Sequence, residues 1–234
     1  MSPKPKTGVT AADLMKELQR DSQYLARTHE QTMRRDALRE QHRRMAQEVI
    51  DELQESGYCV DSLDVLRRSG TRYETAVPIL LKWLPKINDL RVKEAIVRAL
   101  SVPWARPLAA EPLISEFRKA NESTNSGFKW AIANALEVVA DESVLEEIIE
   151  LVQDKHHGKS REMLAAALGN MESPRAIETL IALLGDEEVA GHALSGLRKL
   201  KAQQARAYIQ RFLTHKKAWI RSQAKRALAA LDKV

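Results

Sequence analysis

The chain has a single cysteine, Cys59, in 234 residues. An internal disulfide is excluded and nothing asks for an oxidising compartment, so a cytoplasmic setting is expected. No apolar run approaches the roughly 18 residues that cross a bilayer. The opening MSPKPKTGV holds no hydrophobic segment, so no secretory signal and no membrane association are expected. Nine glycines and eight prolines are too few for a collagenous or linker-rich chain. Catalytic signatures are missing as well: there is no phosphate-binding glycine loop, no nucleophile elbow and no supported Cys–His pair. HEQTMRR at His29 has Met33 where a zincin carries its second histidine. His156 and His157, beside Asp154 in DKHHGKS, have no third ligand at useful spacing. His192 falls on an apolar helix face and reads as a packed, hydrogen-bonded core residue. The expectation is a protein without metal or cofactor, and not an enzyme.

The chain does have charge, unevenly placed. The net charge is +5, yet from Arg198 to the end there are 11 basic residues and one acidic residue, a local balance of +10. The remainder therefore sums to −5, and residues 137–154 (EVVADESVLEEIIELVQD) hold seven carboxylates and no Lys or Arg. An acidic middle and a basic end create a polarised field that steers partners and favours head-to-tail self-association.

An internal repeat organises the second two thirds. AIVRAL, AIANAL, MLAAAL, HALSGL and QAKRAL end at Leu100, Leu136, Leu168, Leu197 and Leu228, at spacings of 36, 32, 29 and 31 residues. The residue before each leucine is small: Ala99, Ala135, Ala167, Gly196 or Ala227. Between these segments lie AVPILLKWL, EPLISEF, VLEEIIELV, AIETLIALL and ARAYIQRFL, apolar at helical spacing. Each unit reads as a first helix, a turn and a second helix. Pro78, Pro112 and Pro174 sit near the starts of first helices, Ser173 is placed to cap the one at Pro174, and Gly185–Asp186 reads as a stop and a new cap. A lone pair of such helices cannot bury its apolar faces, whereas five stacked pairs share one interior.

A basic residue stands seven positions before the final leucine at Lys93, Lys129, Arg161 and Arg221, with Ala190 the exception. An apolar residue precedes it at Val92, Phe128, Val189 and Ile220, with Ser160 the exception. Over about residues 74–232 this pattern resembles HEAT repeats, of the short class found in many bacterial proteins. The resemblance implies an all-α, right-handed α-solenoid of HEAT-like helical hairpins with repeats at about 74–103, 104–140, 141–171, 172–200 and 201–234. It is specific for the fold and not for a function. Bilin-attaching lyases and alkylpurine glycosylases use related folds and stand as the lesser alternative function, though neither brings residues that can be placed on this sequence.

The first third differs. Residues 1–9 are expected to be disordered and residues 10–56 to form a long N-terminal helical arm, free of Pro and Gly. Leu14, Leu18 and Leu25 make one apolar stripe, and Met45, Val49, Ile50 and Leu53 another; the pairs Glu30–Arg34 and Glu40–Arg44 support an exposed helix. Residues 57–73 read as a short connecting helix, capped by Asp61 and stopped near Gly70. The arm either docks on the first repeat or pairs with a second chain to make a dimer.

The expected function is non-catalytic: a scaffold or adaptor that binds a protein partner with an acidic surface on the concave wall of second helices and the basic C-terminal end. The residues expected to contact it are Lys129, Arg161 and Arg221 along the edge of the wall, and Lys216, Lys217, Trp219, Lys225 and Arg226 at the basic end. The basic ladder has a competing role, bonding carbonyls or carboxylates at the turns. Nucleic acid is the alternative partner, since Tyr208, Phe212 and Trp219 offer faces on which bases stack.

Overall fold

Short apolar stripes separated by Gly, Asp and Pro bury their faces only against one another. The computed structural model describes residues 21–233, with thirteen α-helices and no β-strand among the described residues. The stretch 1–9, the start of the arm at residue 10, and Leu14 and Leu18 lie outside the described residues. The chain divides into two compact units, Met1–Gln47 and Glu48–Val234.

In the first unit, α1 (Ser22–Met45) is a polar helix of 24 residues, about 36 Å long. Leu25, Met33 and Met45 on it are exposed, and Leu38 is half-buried. With so little to bury, the helix relies on local pairs. Glu40 meets Arg43 at 3.0 Å and Arg44 at 3.1 Å, while no ion pair joins Glu30 to Arg34 among the described residues.

The second unit begins before the arm boundary expected at residue 56. After a break at Ala46, α2 (Gln47–Glu55) buries Val49, Ile50 and Leu53. The Glu52 carboxylate accepts from Lys82 Nζ and Trp83 Nε1, both at 2.7 Å, which ties α2 to the next helix of its layer. Gly57 ends α2 at φ +93°, where a β-carbon is strained. The cap of α3 (Leu63–Arg68) is Ser62, not Asp61: the Ser62 hydroxyl accepts from the Val65 N–H at 3.3 Å. Together α2 and α3 make a leading hairpin of the solenoid.

Five hairpins follow: α4 (Ala76–Trp83) with α5 (Leu90–Leu100), α6 (Ala110–Lys119) with α7 (Glu122–Val139), α8 (Leu145–Gln153) with α9 (Arg161–Leu168), α10 (Pro174–Leu183) with α11 (Ala190–Lys199), and α12 (Arg206–Gln210) with α13 (Ala218–Leu231). Pro78, Pro112 and Pro174 fall in first turns, where no ladder bond needs their missing N–H. Ser173 occupies the cap position of α10 without a side-chain bond, whereas Asp89 caps α5 by accepting from the N–H groups of Arg91 and Val92 at 3.0 Å.

The second helices α3, α5, α7, α9, α11 and α13 lie side by side in one row, and the first helices meet more sparsely. Leu100, Leu136, Leu168 and Leu197 are fully buried between them. Small residues allow this closeness: Gly169, just after Leu168, faces Gly196 of the column before the leucines, and a β-carbon on Gly169 would fall 2.5 Å from the Gly196 Cα. The second unit is thus an all-α solenoid with one continuous interior.

Candidate functional site

The residue seven positions before each final leucine lies on a second helix, as its first residue at Arg161 and Ala190, its fourth at Lys93 and Arg221, and its eighth at Lys129 in the longer α7. Arg161 is 1% exposed; its Nε donates to the Val152 carbonyl at 2.7 Å, its Nη2 to Asp186 at 2.8 Å and its Nη1 to Glu188 at 3.4 Å. Lys129 is 3% exposed; its Nζ donates to the Ala120 carbonyl at 2.9 Å, meets His157 Nδ1 at 3.0 Å and lies 4.7 Å over the Phe117 ring. Lys93 crosses to Glu116 at 2.5 Å. Each cation reaches the following hairpin, and Lys129 and Arg161 also satisfy carbonyls that a helix C-terminus leaves without partners. This corrects the expectation that Lys129 and Arg161 edge a partner-binding wall: they are buried and bound inside the solenoid, in the competing role.

The partners titrate accordingly. Burial pushes the Glu116 carboxyl up, but hydrogen bonds from Lys93 and Lys119 outweigh it and hold the group below the ordinary carboxylate range. Asp186 is held low in the same way, with Arg161 and the Glu188 N–H outweighing its burial. His157 is pushed below the ordinary imidazole value by burial and then by the charge of Lys129. A neutral ring with its proton on Nε2 presents a free Nδ1 lone pair to that ammonium.

At the fourth hairpin the ladder is replaced. Ala190 supplies no cation, and the facing turn, His215–Lys217, supplies no carboxylate. Trp219 closes the junction: a β-carbon on Gly191 would sit 1.8 Å from its indole. His192 packs against the same indole at 5.9 Å between ring centres. Its Nδ1 lies 3.8 Å from Glu162 and finds no hydrogen bond among the described residues, so the expected hydrogen-bonded core histidine is packed but not bonded at that nitrogen.

The final hairpin gathers the remaining expected contact residues. Arg221 is half-buried, and its Nη1 donates to the His215 and Lys216 carbonyls at 2.7 and 3.0 Å. Lys216 pairs with Glu187 at 2.9 Å, which holds that carboxyl below its ordinary range. Lys217, Lys225 and Arg226 are exposed, and none forms an ion pair among the described residues. Trp219 is 45% exposed, and Arg211 lies 5.6 Å over the exposed Tyr208 ring.

Sequence reasoning missed the acceptor half of the ladder. Glu116, His157, Asp186 and Glu188 follow their cations by 23, 28, 25 and 27 residues, just under one repeat, and that offset is the signal that would have found them. It also missed a bridge across three second helices: Lys199 Nζ donates to Glu137 at 2.9 Å and to Asn170 Oδ1 at 3.0 Å, while Asn170 Nδ2 donates to the Glu137 carbonyl at 2.7 Å. His156 bonds Asp154 at 2.8 Å, and no group of three or more metal-ligating side chains occurs among the described residues. No described helix is long and apolar enough to cross a membrane.

Residues 110–190 match the family model for HEAT repeats. That span, which holds the Lys129 and Arg161 rungs, is similar to HEAT repeats. No curated protein matches it. Among solved structures, a designed armadillo repeat protein in complex with the peptide (KR)4 is 16% identical, with 81% of this chain and 98% of that chain covered and a TM-score of 0.49. An engineered protein is 20% identical, with 82% and 97% covered and a TM-score of 0.44.

Proposed function

We propose that this protein is a non-catalytic interaction scaffold that holds a protein partner with an acidic surface against its row of second helices and its basic final hairpin. The observation that carries this reading is the division of the cations. Lys93, Lys129 and Arg161 are spent inside the fold, whereas Lys217, Lys225 and Arg226 stand exposed on one hairpin and form no ion pair among the described residues. A polar outer face alone calls for mixed charge, and this one is one-sided. The bridge among Glu137, Asn170 and Lys199 ties neighbouring second helices together, which suits binding with little rearrangement. A single exposed thiol, Cys59, suits a cytoplasmic setting.

The test is affinity capture from native extract with mass spectrometry, comparing the natural chain with K217E/K225E/R226E. Acidic proteins retained by the first and lost by the second, at equal melting temperature, are expected; identical captured sets would remove the reading. Exposed Tyr208 and Trp219 among the cations favour a second reading, a nucleic-acid surface. Fluorescence polarisation with duplex and single-stranded oligonucleotides decides it, since phosphate binding must weaken steeply with salt.

A further inference from the structure

Three positions before each final leucine, the second helices carry Val97, Ala133, Ala165 and Leu194, all fully buried, and then Lys225, which is exposed. The final leucine follows suit: Leu228 is half-buried where its four equivalents have no exposure. Other positions of α13 remain buried, among them Ile220, Ala224 and Ala227. The two columns that open on α13 are therefore those a following hairpin covers in every other repeat. A lysine in this column changes the chemistry of the face, whatever its place in the chain. Arg221 lies beside it in the ladder position, and unlike Lys93, Lys129 and Arg161 it reaches no other hairpin among the described residues; its Nη1 is turned back on its own turn. The face thus has the shape of a repeat junction with two cations in place of an apolar filling, and it selects an occupant that brings carboxylates.

The other end of the solenoid has the opposite charge. From Gln47 to Asp64 there are six carboxylates and no Lys or Arg. Glu52 and Asp64 are engaged by neighbours, while Glu48, Glu55 and Asp61 are exposed. Asp61 lies two residues before α3, the same place that Glu188, an acceptor of Arg161, holds before α11. Around it Gln54, Tyr58, Val60 and Val65 line an open concavity of about 530 Å³, and Val65 is 43% exposed.

We propose that the outer face of α13 receives the leading hairpin, α2–α3, of a second copy of this chain, head to tail, with Arg221 and Lys225 facing the carboxylates around Asp61. The proposal rests on the reading of the basic hairpin as a docking surface and names its occupant. A heterologous contact of this kind propagates into open chains unless its rotation closes a ring. It is screened by salt, because Lys225, Glu55 and Asp61 are exposed and Arg221 is only half-buried.

Sedimentation velocity of the full chain over a dilution series, in about 50 mM and about 500 mM salt, tests it. The expected result is a sedimentation coefficient that rises with concentration at low salt and returns to the monomer value at high salt. R221E/K225E and E55K/D61K should each be monomeric, with association at least about tenfold weaker, and an equimolar mixture of the two should associate again. Because Arg221 also braces its own turn, K225E alone serves as the second variant and should weaken association without moving the melting temperature. A chain that stays monomeric at low salt overturns the proposal, even if it still captures acidic proteins that K217E/K225E/R226E loses; that result leaves the docking reading standing. Association that survives both charge reversals but is lost in a chain lacking residues 1–46 also overturns it and assigns the contact to the arm.

Discussion

Arg161 and Arg221 hold the same place in their repeats and have different fates. Arg161 is covered by the next hairpin and meets two carboxylates and a carbonyl, whereas Arg221 forms no ion pair among the described residues and bonds two carbonyls of its own turn. A repeat motif specifies which side chain stands at a position. Whether that side chain closes the fold or is offered to a partner depends on what stacks against it.

The largest effect should separate the two arginines. Arg161→Ala strands the half-buried Asp186 carboxylate and the Val152 carbonyl, and should cost about 3 kcal/mol in urea unfolding. Arg221→Ala loses bonds that water can replace and should cost about 0.5–1.5 kcal/mol. Equal costs would show that the cover over Arg161 contributes nothing.

The fourth junction is the next place to break the pattern, because contact there replaces charge. Gly191→Ala drives a methyl group into the Trp219 ring and should cost about 1–3 kcal/mol, with a red-shifted emission that is absent in a Trp219→Phe background. An unchanged spectrum would mean that the indole does not hold this junction.

A pH titration sharpens the second rung. The folded chain holds His157 below its ordinary value, so between the two values the unfolded chain binds a proton that the folded chain refuses. Stability should be whole above about 6.5 and fall as the pH drops toward the folded value. His157→Gln should flatten that window. Below it, the lowered carboxyls of Glu116 and Asp186 act in the same direction: the stability they contribute is present above the ordinary carboxylate range and is lost as the pH falls through their folded values. The smallest effect belongs to K217E/K225E/R226E, whose side chains are exposed and unpaired. Its stability should move by no more than about 0.5 kcal/mol.

Much of this architecture was legible in the sequence, since leucines and small residues at repeat spacing leave few other ways to bury apolar surface. The boundary of the arm was not: Val49, Ile50 and Leu53 read equally well as the end of a long helix or the start of a solenoid, and only their burial in the second unit decides. The same limit applies to the candidate site. Lys129 and Lys225 look alike as basic residues on second helices, yet one is 3% exposed over Phe117 and the other stands in solvent.

The order of residues by itself determined that the second part of the chain stacks as helical hairpins, because periodic apolar faces and punctuated turns are local properties and each hairpin is too small to be stable alone. It also determined that one end is basic. Which cations are consumed and which are free was decided only in three dimensions, because the side-chain partners of Lys93, Lys129 and Arg161 lie on the next hairpin, and a charge is satisfied or exposed according to neighbours that sequence adjacency does not supply.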